Sequence, residues 1–223
     1  MFSYFRHVQN SYRLIFVGVL CCFFIPVCAW AYTSVIANPE SAHIELTIAS
    51  PRTSQEFFGR LDDFPHTFVF EVKEEQTFKA AVAVRDAKEQ KNDISVIIVK
   101  AERRGVSEIG RTHIKDDSWE STYSTILAES FRTGGTLEGS LQPGWYKLEV
   151  SSPSNDGTYR MVWGAEEIDL GYFENVRVLF EVKRLLGRSV FSAFLSPLLY
   201  VPLFVFGIIL AAVLYRRRKN VRV

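Results

Sequence analysis

Leu141-Gln142-Pro143-Gly144-Trp145-Tyr146-Lys147-Leu148-Glu149-Val150 decides the fold, because a Pro-Gly turn is followed at once by strict alternation of apolar and polar side chains. A period of two is the signature of a half-buried strand, with successive side chains on opposite faces. Tyr146, Leu148 and Val150 then point inward, and Trp145, Lys147 and Glu149 point outward. A tyrosine just past such a turn in a Greek-key sandwich commonly hydrogen-bonds back across it. Tyr146 is therefore expected to be a structural tyrosine corner, and Trp145 an exposed indole.

Outward from this stretch, the same pattern recurs between about residue 42 and residue 164. The segments HIELTIA (43–49), TFVFEV (67–72) and FKAAVAV (78–84) alternate, and ISVIIV (94–99) is continuously apolar, as a central strand is. Further strand-length runs occupy 106–114, 122–127, 136–141, 145–150 and 158–163. Turn residues separate them, as in Gly134-Gly135, Pro143-Gly144 and Asn155-Asp156-Gly157. The fold class expected is all-β: an antiparallel β-sandwich or jelly roll of about eight or nine strands.

The ends differ from this middle. Residues 14–31, LIFVGVLCCFFIPVCAWA, follow Arg6 and Arg13 and close on Ala29-Trp30-Ala31, the layout of a secretory signal. An uncleaved signal anchor is the other reading of the same run. Residues 190–215, VFSAFLSPLLYVPLFVFGIILAAVLY, are free of charge and exceed the roughly 20 residues that cross a bilayer. The cluster Arg216, Arg217, Arg218 and Lys219 follows as a stop-transfer signal, which belongs on the cytoplasmic side. The expected organisation is thus a signal at 1–31, an extracytoplasmic β-sandwich at 32–165, an amphipathic juxtamembrane helix at 166–189, a transmembrane helix at 190–215 and a basic cytoplasmic tail at 216–223.

Charge supports that partition. The net charge of +1 hides the fact that all 25 acidic residues lie between Glu40 and Glu181. Residues 32–191 hold 19 Lys plus Arg against these 25 acids, a balance of 19 − 25 = −6. An acidic domain is poorly suited to phosphate backbones, so nucleic acid is excluded as a partner. Cys21, Cys22 and Cys28 all fall in the first apolar run, so neither a disulfide nor a cysteine-bound zinc is expected in the domain.

Here the residues resemble a family. From Phe68 to Gly164 the chain is similar to the bacterial pre-peptidase C-terminal (PPC) β-sandwich: a strand like DISVIIVK, a polar segment, an LxPGxY-like turn and a final hairpin like VSSPSNDGTYRMVW. The resemblance implies a non-catalytic accessory module that binds matrix, polysaccharide or a parent protein. The layout of signal, sandwich, span and short basic tail is also similar to the GOLD-domain cargo receptors, from which the chain departs in lacking an ectodomain cysteine pair.

Motifs for chemistry are sparse. His7, His43, His66 and His113 are isolated, and no GxSxG, GxxxxGK[ST] or HExxH occurs, so no catalytic residue, metal ligand set or cofactor is expected. Asp116 and Asp117 are an acid pair without EF-hand spacing, which reads first as a solvated turn and only weakly as a calcium site. Trp145 and Trp119 are the candidates for ligand contact, as stacking platforms for sugar or a protein partner. In YFENVRVLFEVKRLLGR (172–188), Tyr172, Val176, Leu179 and Leu186 share one helical face while Arg177, Lys183, Arg184 and Arg188 supply basic charge near the membrane. The expected function is a non-catalytic, membrane-anchored binding or scaffold protein. Its expected partners are membrane lipid and another membrane or surface protein; the alternatives are a surface carbohydrate-binding module and an unrecognised hydrolase.

Overall fold

The computed structural model describes residues 33–88, 90, 93–112, 119–164 and 172–221. The expected signal at 1–31 and the pair Asp116 and Asp117 lie outside these residues. Eleven strands are present: β1 (Thr33–Ala37), β2 (Leu46–Thr47), β3 (Gln55–Asp62), β4 (His66–Val72), β5 (Gln76–Arg85), β6 (Ser95–Glu102), β7 (Gly105–Arg111), β8 (Glu120–Ser124), β9 (Glu129–Leu141), β10 (Gly144–Ser151) and β11 (Asp156–Trp163). They form a six-stranded sheet in the order β1-β3-β11-β5-β9-β8 and a five-stranded sheet in the order β2-β4-β10-β6-β7.

Both sheets are mixed, which corrects the antiparallel expectation, and the strands outnumber the eight or nine counted by pattern. The parallel pairs are β1 with β3 and β2 with β4, each at a sheet edge. The expected final hairpin is corrected too, because β10 and β11 belong to different sheets. Their connection arches across the sandwich, with Asn155 at φ 45° and its side chain accepting from the Ser152 amide. Most consecutive strands change sheet in this way; adjacent hairpins join only β6 to β7 and β8 to β9 among the described residues.

The core between the sheets follows from the alternation. Tyr146, Leu148 and Val150 of β10 meet Tyr159, Met161 and Trp163 of β11 and the inward residues of β4, β5 and β6. Trp163 is the hub, packing 4.7 Å from Phe70 and 5.6 Å from Phe78 between ring centroids. Its indole N–H donates to the Pro51 carbonyl at 2.9 Å, so burial leaves no orphaned donor. Gly59 is required by packing, since a Cβ there would lie 2.5 Å from the Tyr159 ring.

Two helices follow the sandwich: α1 (Tyr172–Leu185) and, after a 3-10 helix at Val190–Leu195, the long α2 (Pro197–Val221). Among the described residues, one helical stretch, Pro197–Tyr215, is long and apolar enough to cross a membrane. Almost none of that stretch is buried against the rest of the protein, unlike the core helix of a soluble domain.

Candidate functional site

Hydrogen bonds, ion pairs and apolar contacts together join the sandwich to the long helix. Phe58 of β3, Ala83 of β5 and Phe131 of β9 face outward from the six-stranded sheet yet are buried, because α1 lies over them. The helix contributes Val178, Leu179, Val182 and Leu186, an i, i+1, i+4, i+8 stripe that makes one continuous apolar face. The small side chain of Ala83 lets the helix approach, and Ala193 and Leu198 extend the same cluster to the 3-10 helix and the first turn of α2.

Charge fixes the register of this contact. Glu129, at the start of β9, is buried and accepts from Lys183 Nζ at 2.8 Å and from Arg188 Nε at 2.9 Å on Oε1. Arg188 Nη2 reaches Oε2 at 3.3 Å, and Arg85 Nε of β5 stands 3.8 Å from the same oxygen. Arg85 also donates to the Leu186 carbonyl at 3.1 Å, an end of α1 with no helical donor left for it. Lys183 is wholly buried, with the Ala128 carbonyl at 3.4 Å as its second acceptor. Burial pushes the Glu129 carboxyl upward, but the bonds from Arg188 and Lys183 and their charges outweigh it and hold it below the ordinary range.

The chain beyond α1 is stapled turn by turn. Gly187 adopts φ 66°, its N–H bonds to the Arg184 carbonyl and the Arg188 N–H bonds to the Lys183 carbonyl, a Schellman ending that aims Arg188 back at Glu129. Ser189 caps the 3-10 helix by accepting from the Phe191 amide. Ser196 caps α2 by accepting from the Leu198 amide, donates its hydroxyl to the Ile126 carbonyl in the β8–β9 turn, and precedes Pro197 at the first helical position. Pro202 lies inside α2 and has no N–H for the carbonyl four residues earlier, that of Leu198. The Tyr172 hydroxyl supplies the missing donor at 2.8 Å, joining the first turn of α1 to the first turn of α2.

The residues singled out from sequence are dispersed over this frame. Lys183 and Arg188, expected at a membrane interface, are instead engaged by Glu129, and the apolar face of α1 is spent on the sheet. Arg177 is exposed and pairs with Glu174 and Glu181 on its own helix, while Arg184 is exposed. Arg217 and Arg218 are exposed near the end of α2; the side chains of Arg216 and Lys219 are outside the described set. Tyr146 is buried, and its hydroxyl donates across the turn to the Gln142 carbonyl at 2.7 Å.

Trp145 is 56% exposed on the outer face of the five-stranded sheet. It stands opposite Glu71 on β4, in a patch where Val69, Ile97 and Val99 are half-buried and Lys147 is paired with Glu45. Trp119 is elsewhere: half-buried beside the core, its ring packs against Gly134 of β9 in the other sheet. The two indoles therefore do not share a platform. Sequence reasoning passed over Glu129, Arg85 and Ser196, whose roles depend on partners 54 to 101 residues distant. Gly187 just past an apolar stripe was the one local sign that α1 ends before the long apolar run.

The chemistry-bearing groups inside the sandwich are held by one another. His66 Nδ1 and the Tyr159 hydroxyl are 2.8 Å apart and buried. Burial pushes the His66 pKa down to about 4 and that of Tyr159 up, so both are neutral near pH 7. Among the described residues, no group of three or more His, Cys, Asp or Glu side chains is placed to hold a metal.

No protein-family model matches the sequence, and no curated protein matches it. In fold the chain is distantly similar to bacterial β-sandwich domains. One is the pre-peptidase C-terminal domain of collagenase from Bacillus anthracis, at 14% identity and TM-score 0.36, covering 56% of this chain and 97% of that one. Another is PliG of Aeromonas hydrophila, a periplasmic lysozyme inhibitor of g-type lysozyme, at 11% identity and TM-score 0.32, covering 60% and 98%. A third is CorA of Methylomicrobium album BG8, a surface-associated copper-binding protein, at 10% identity and TM-score 0.29, covering 58% and 99%.

Proposed function

We propose that this chain is a non-catalytic binding or scaffold protein, anchored by α2 with its β-sandwich outside the cytoplasm, and that it works as an accessory subunit of a membrane complex. The observation that carries the reading is the absence of slack between sandwich and long helix along 172–198. Glu129, Ser196 and Tyr172 each bond across that junction, so the sandwich is presented in one orientation rather than on a swinging tether. Fixed presentation suits a protein that offers a surface to a neighbour in the same membrane. His66, the buried histidine, is closed off from any substrate. The topology rests on the charge-free run and the basic cluster after it, which the positive-inside bias assigns to the cytoplasm.

The surface offered is the outer face of the five-stranded sheet around Trp145, on the opposite side of the sandwich from α1. A photocrosslinking residue at position 145 of the full chain, in its native membrane, is expected to capture one discrete protein. Recovery of uncrosslinked monomer alone, there and at exposed Val106, would refute the reading. A second reading, polysaccharide binding, is favoured by the same exposed indole; undiminished binding to surface polysaccharide after Trp145→Ala would remove it. Protease added to spheroplasts should digest the exposed loops of the domain and spare the tail.

A further inference from the structure

We infer that the 3-10 helix at Val190–Leu195, together with Phe173, is a wedge that seats in the outer interfacial layer of the lipid bilayer and holds the sandwich against the membrane. The inference rests on the anchored reading of α2 and deepens it, because sequence alone pointed to α1 as the interfacial element, and α1 turns out to have given its apolar face to the sheet.

What remains uncovered is different. Phe191 is 81% exposed, Leu195 68% and Phe173 75%, with Val190 and Phe194 also exposed. In the same segment Ala193 is buried in the junction and Ser196 is bonded to Ile126, so the backbone is fixed while the large side chains project from it. A short helix held this way against a domain has no inward space left for those rings. Continuity names the occupant. Leu195 is separated from Pro197, the first residue of the long apolar helix, by Ser196 alone, so a bilayer around α2 reaches this segment first. Tyr172 ties the first turn of α1 to Leu198, and Phe173 follows it in that turn.

Charge agrees with a lipid surface. No Asp or Glu occurs after Glu181, Glu174 beside Phe173 is paired with Arg177, and the cations nearest in sequence to the 3-10 helix, Arg184 and Arg188, are exposed. Apolar side chains flanked in sequence by guanidinium groups suit acyl chains and phosphates respectively. Phenylalanine and leucine at this density on the surface of a soluble protein would form an association-prone patch.

Nitroxide labels report depth directly. Single cysteines at Phe191, Leu195, Leu210 and Val106 are introduced into the full chain with Cys21, Cys22 and Cys28 replaced by serine, and the protein is reconstituted in phosphatidylcholine vesicles containing phosphatidylglycerol. Collision with oxygen is compared with collision with a water-soluble nickel chelate. Positions 191 and 195 are expected to give an oxygen-to-nickel ratio nearer to Leu210, in the middle of α2, than to Val106 on the far sheet edge. A ratio like that of Val106 while Leu210 reads lipid would overturn the wedge and leave the anchor standing. Low collision with both reagents would mean that protein covers the segment, which also overturns it. A water-like ratio at Leu210 would sink the anchored reading itself, and the wedge with it.

Discussion

Replacing Glu129 with Gln removes one negative charge and leaves the packing volume unchanged, and the consequences are strongly asymmetric across its partners. Arg188 is 44% exposed and Arg85 has the Leu186 carbonyl, so both retain solvent or another acceptor. Lys183 is fully buried, and beyond Glu129 it has only the Ala128 carbonyl at 3.4 Å. A buried ammonium that loses its counter-ion destabilises by about 3–5 kcal/mol. Lys183→Met should be far milder, about 1 kcal/mol or less, because Glu129 keeps two guanidinium groups and a thioether chain fills the vacated space. The double variant should therefore lie near Lys183→Met, recovering about 2–4 kcal/mol relative to Glu129→Gln. Because the penalty acts where α1 meets the sheet, the helix opens before the sandwich unfolds. The assay is limited trypsin digestion of the full chain in nanodiscs, followed at Arg184 and Arg188, with cleavage tracking the opened population. Glu129→Gln should speed that cleavage by about 100-fold or more, since each 1.4 kcal/mol is tenfold. A change of less than about fivefold, or a double variant as labile as Glu129→Gln, would refute the claim that a buried ion pair clamps α1.

Three more outcomes follow from particular bonds. His66 has its folded pKa lowered to about 4, so the unfolded chain takes up the proton first. Its contribution to stability is whole above about pH 6.5 and is lost as pH falls toward 4, by about 3 kcal/mol at the limit. Glu129, also lowered, adds a further loss as pH falls below its ordinary value. Urea midpoints across this window should slope downward, and His66→Gln should flatten the upper part. Tyr172→Phe removes the donor that replaces the missing Pro202 N–H and should loosen the junction by about 1 kcal/mol. In a Pro202→Ala background, where residue 202 regains its own N–H, the same change should be nearly neutral; equal effects in both backgrounds would dismiss the coupling. Tyr146→Phe deletes the 2.7 Å bond to Gln142 and should lower stability by about 1 kcal/mol in a thermal melt.

The sandwich was legible where one face of a strand is wet. β4, β10 and the first part of β5 alternate in sequence as they do in burial, and β10 shows it most cleanly. β3 was passed over for a physical reason: Phe57 faces the core and Phe58 faces α1, so both sides of its first five residues, QEFFG, are buried and a period of two shows only at 60–62. β1 is a short edge strand paired in parallel, with too few residues to show a pattern, while the alternation read over 43–49 yields only the two-residue strand β2. The count fell short at those places. In α1 the expected face was placed only in part, since Leu179 and Leu186 are buried with Val178 and Val182 while Tyr172 is exposed and Val176 half-buried. Nor does an apolar stripe say whether lipid or a sheet will cover it. The deciding residues, Phe58, Ala83 and Phe131, are each unremarkable in their own strands. Glu129 is one of 25 acids, and nothing local marks it as the one that will be buried.

The two faces of the sandwich have therefore been put to different uses. The outer face of the larger sheet is closed by α1, with an ion pair whose formation demands a single register of helix on sheet. Among the described residues no helix covers the outer face of the smaller sheet, which keeps Trp145 and three half-buried β-branched residues in view. If α1 were a free stalk, the direction in which Trp145 points would vary with every torsion between 165 and 196, and ordering it would oppose any contact made there. With Glu129, Ser196 and Tyr172 holding the junction, that ordering would already be complete for the partner proposed above. Affinity at the Trp145 face and integrity of the Glu129 clamp should thus be linked: Glu129→Gln, though it lies on the other sheet, should weaken capture at position 145, and undiminished capture would show that orientation plays no part in binding.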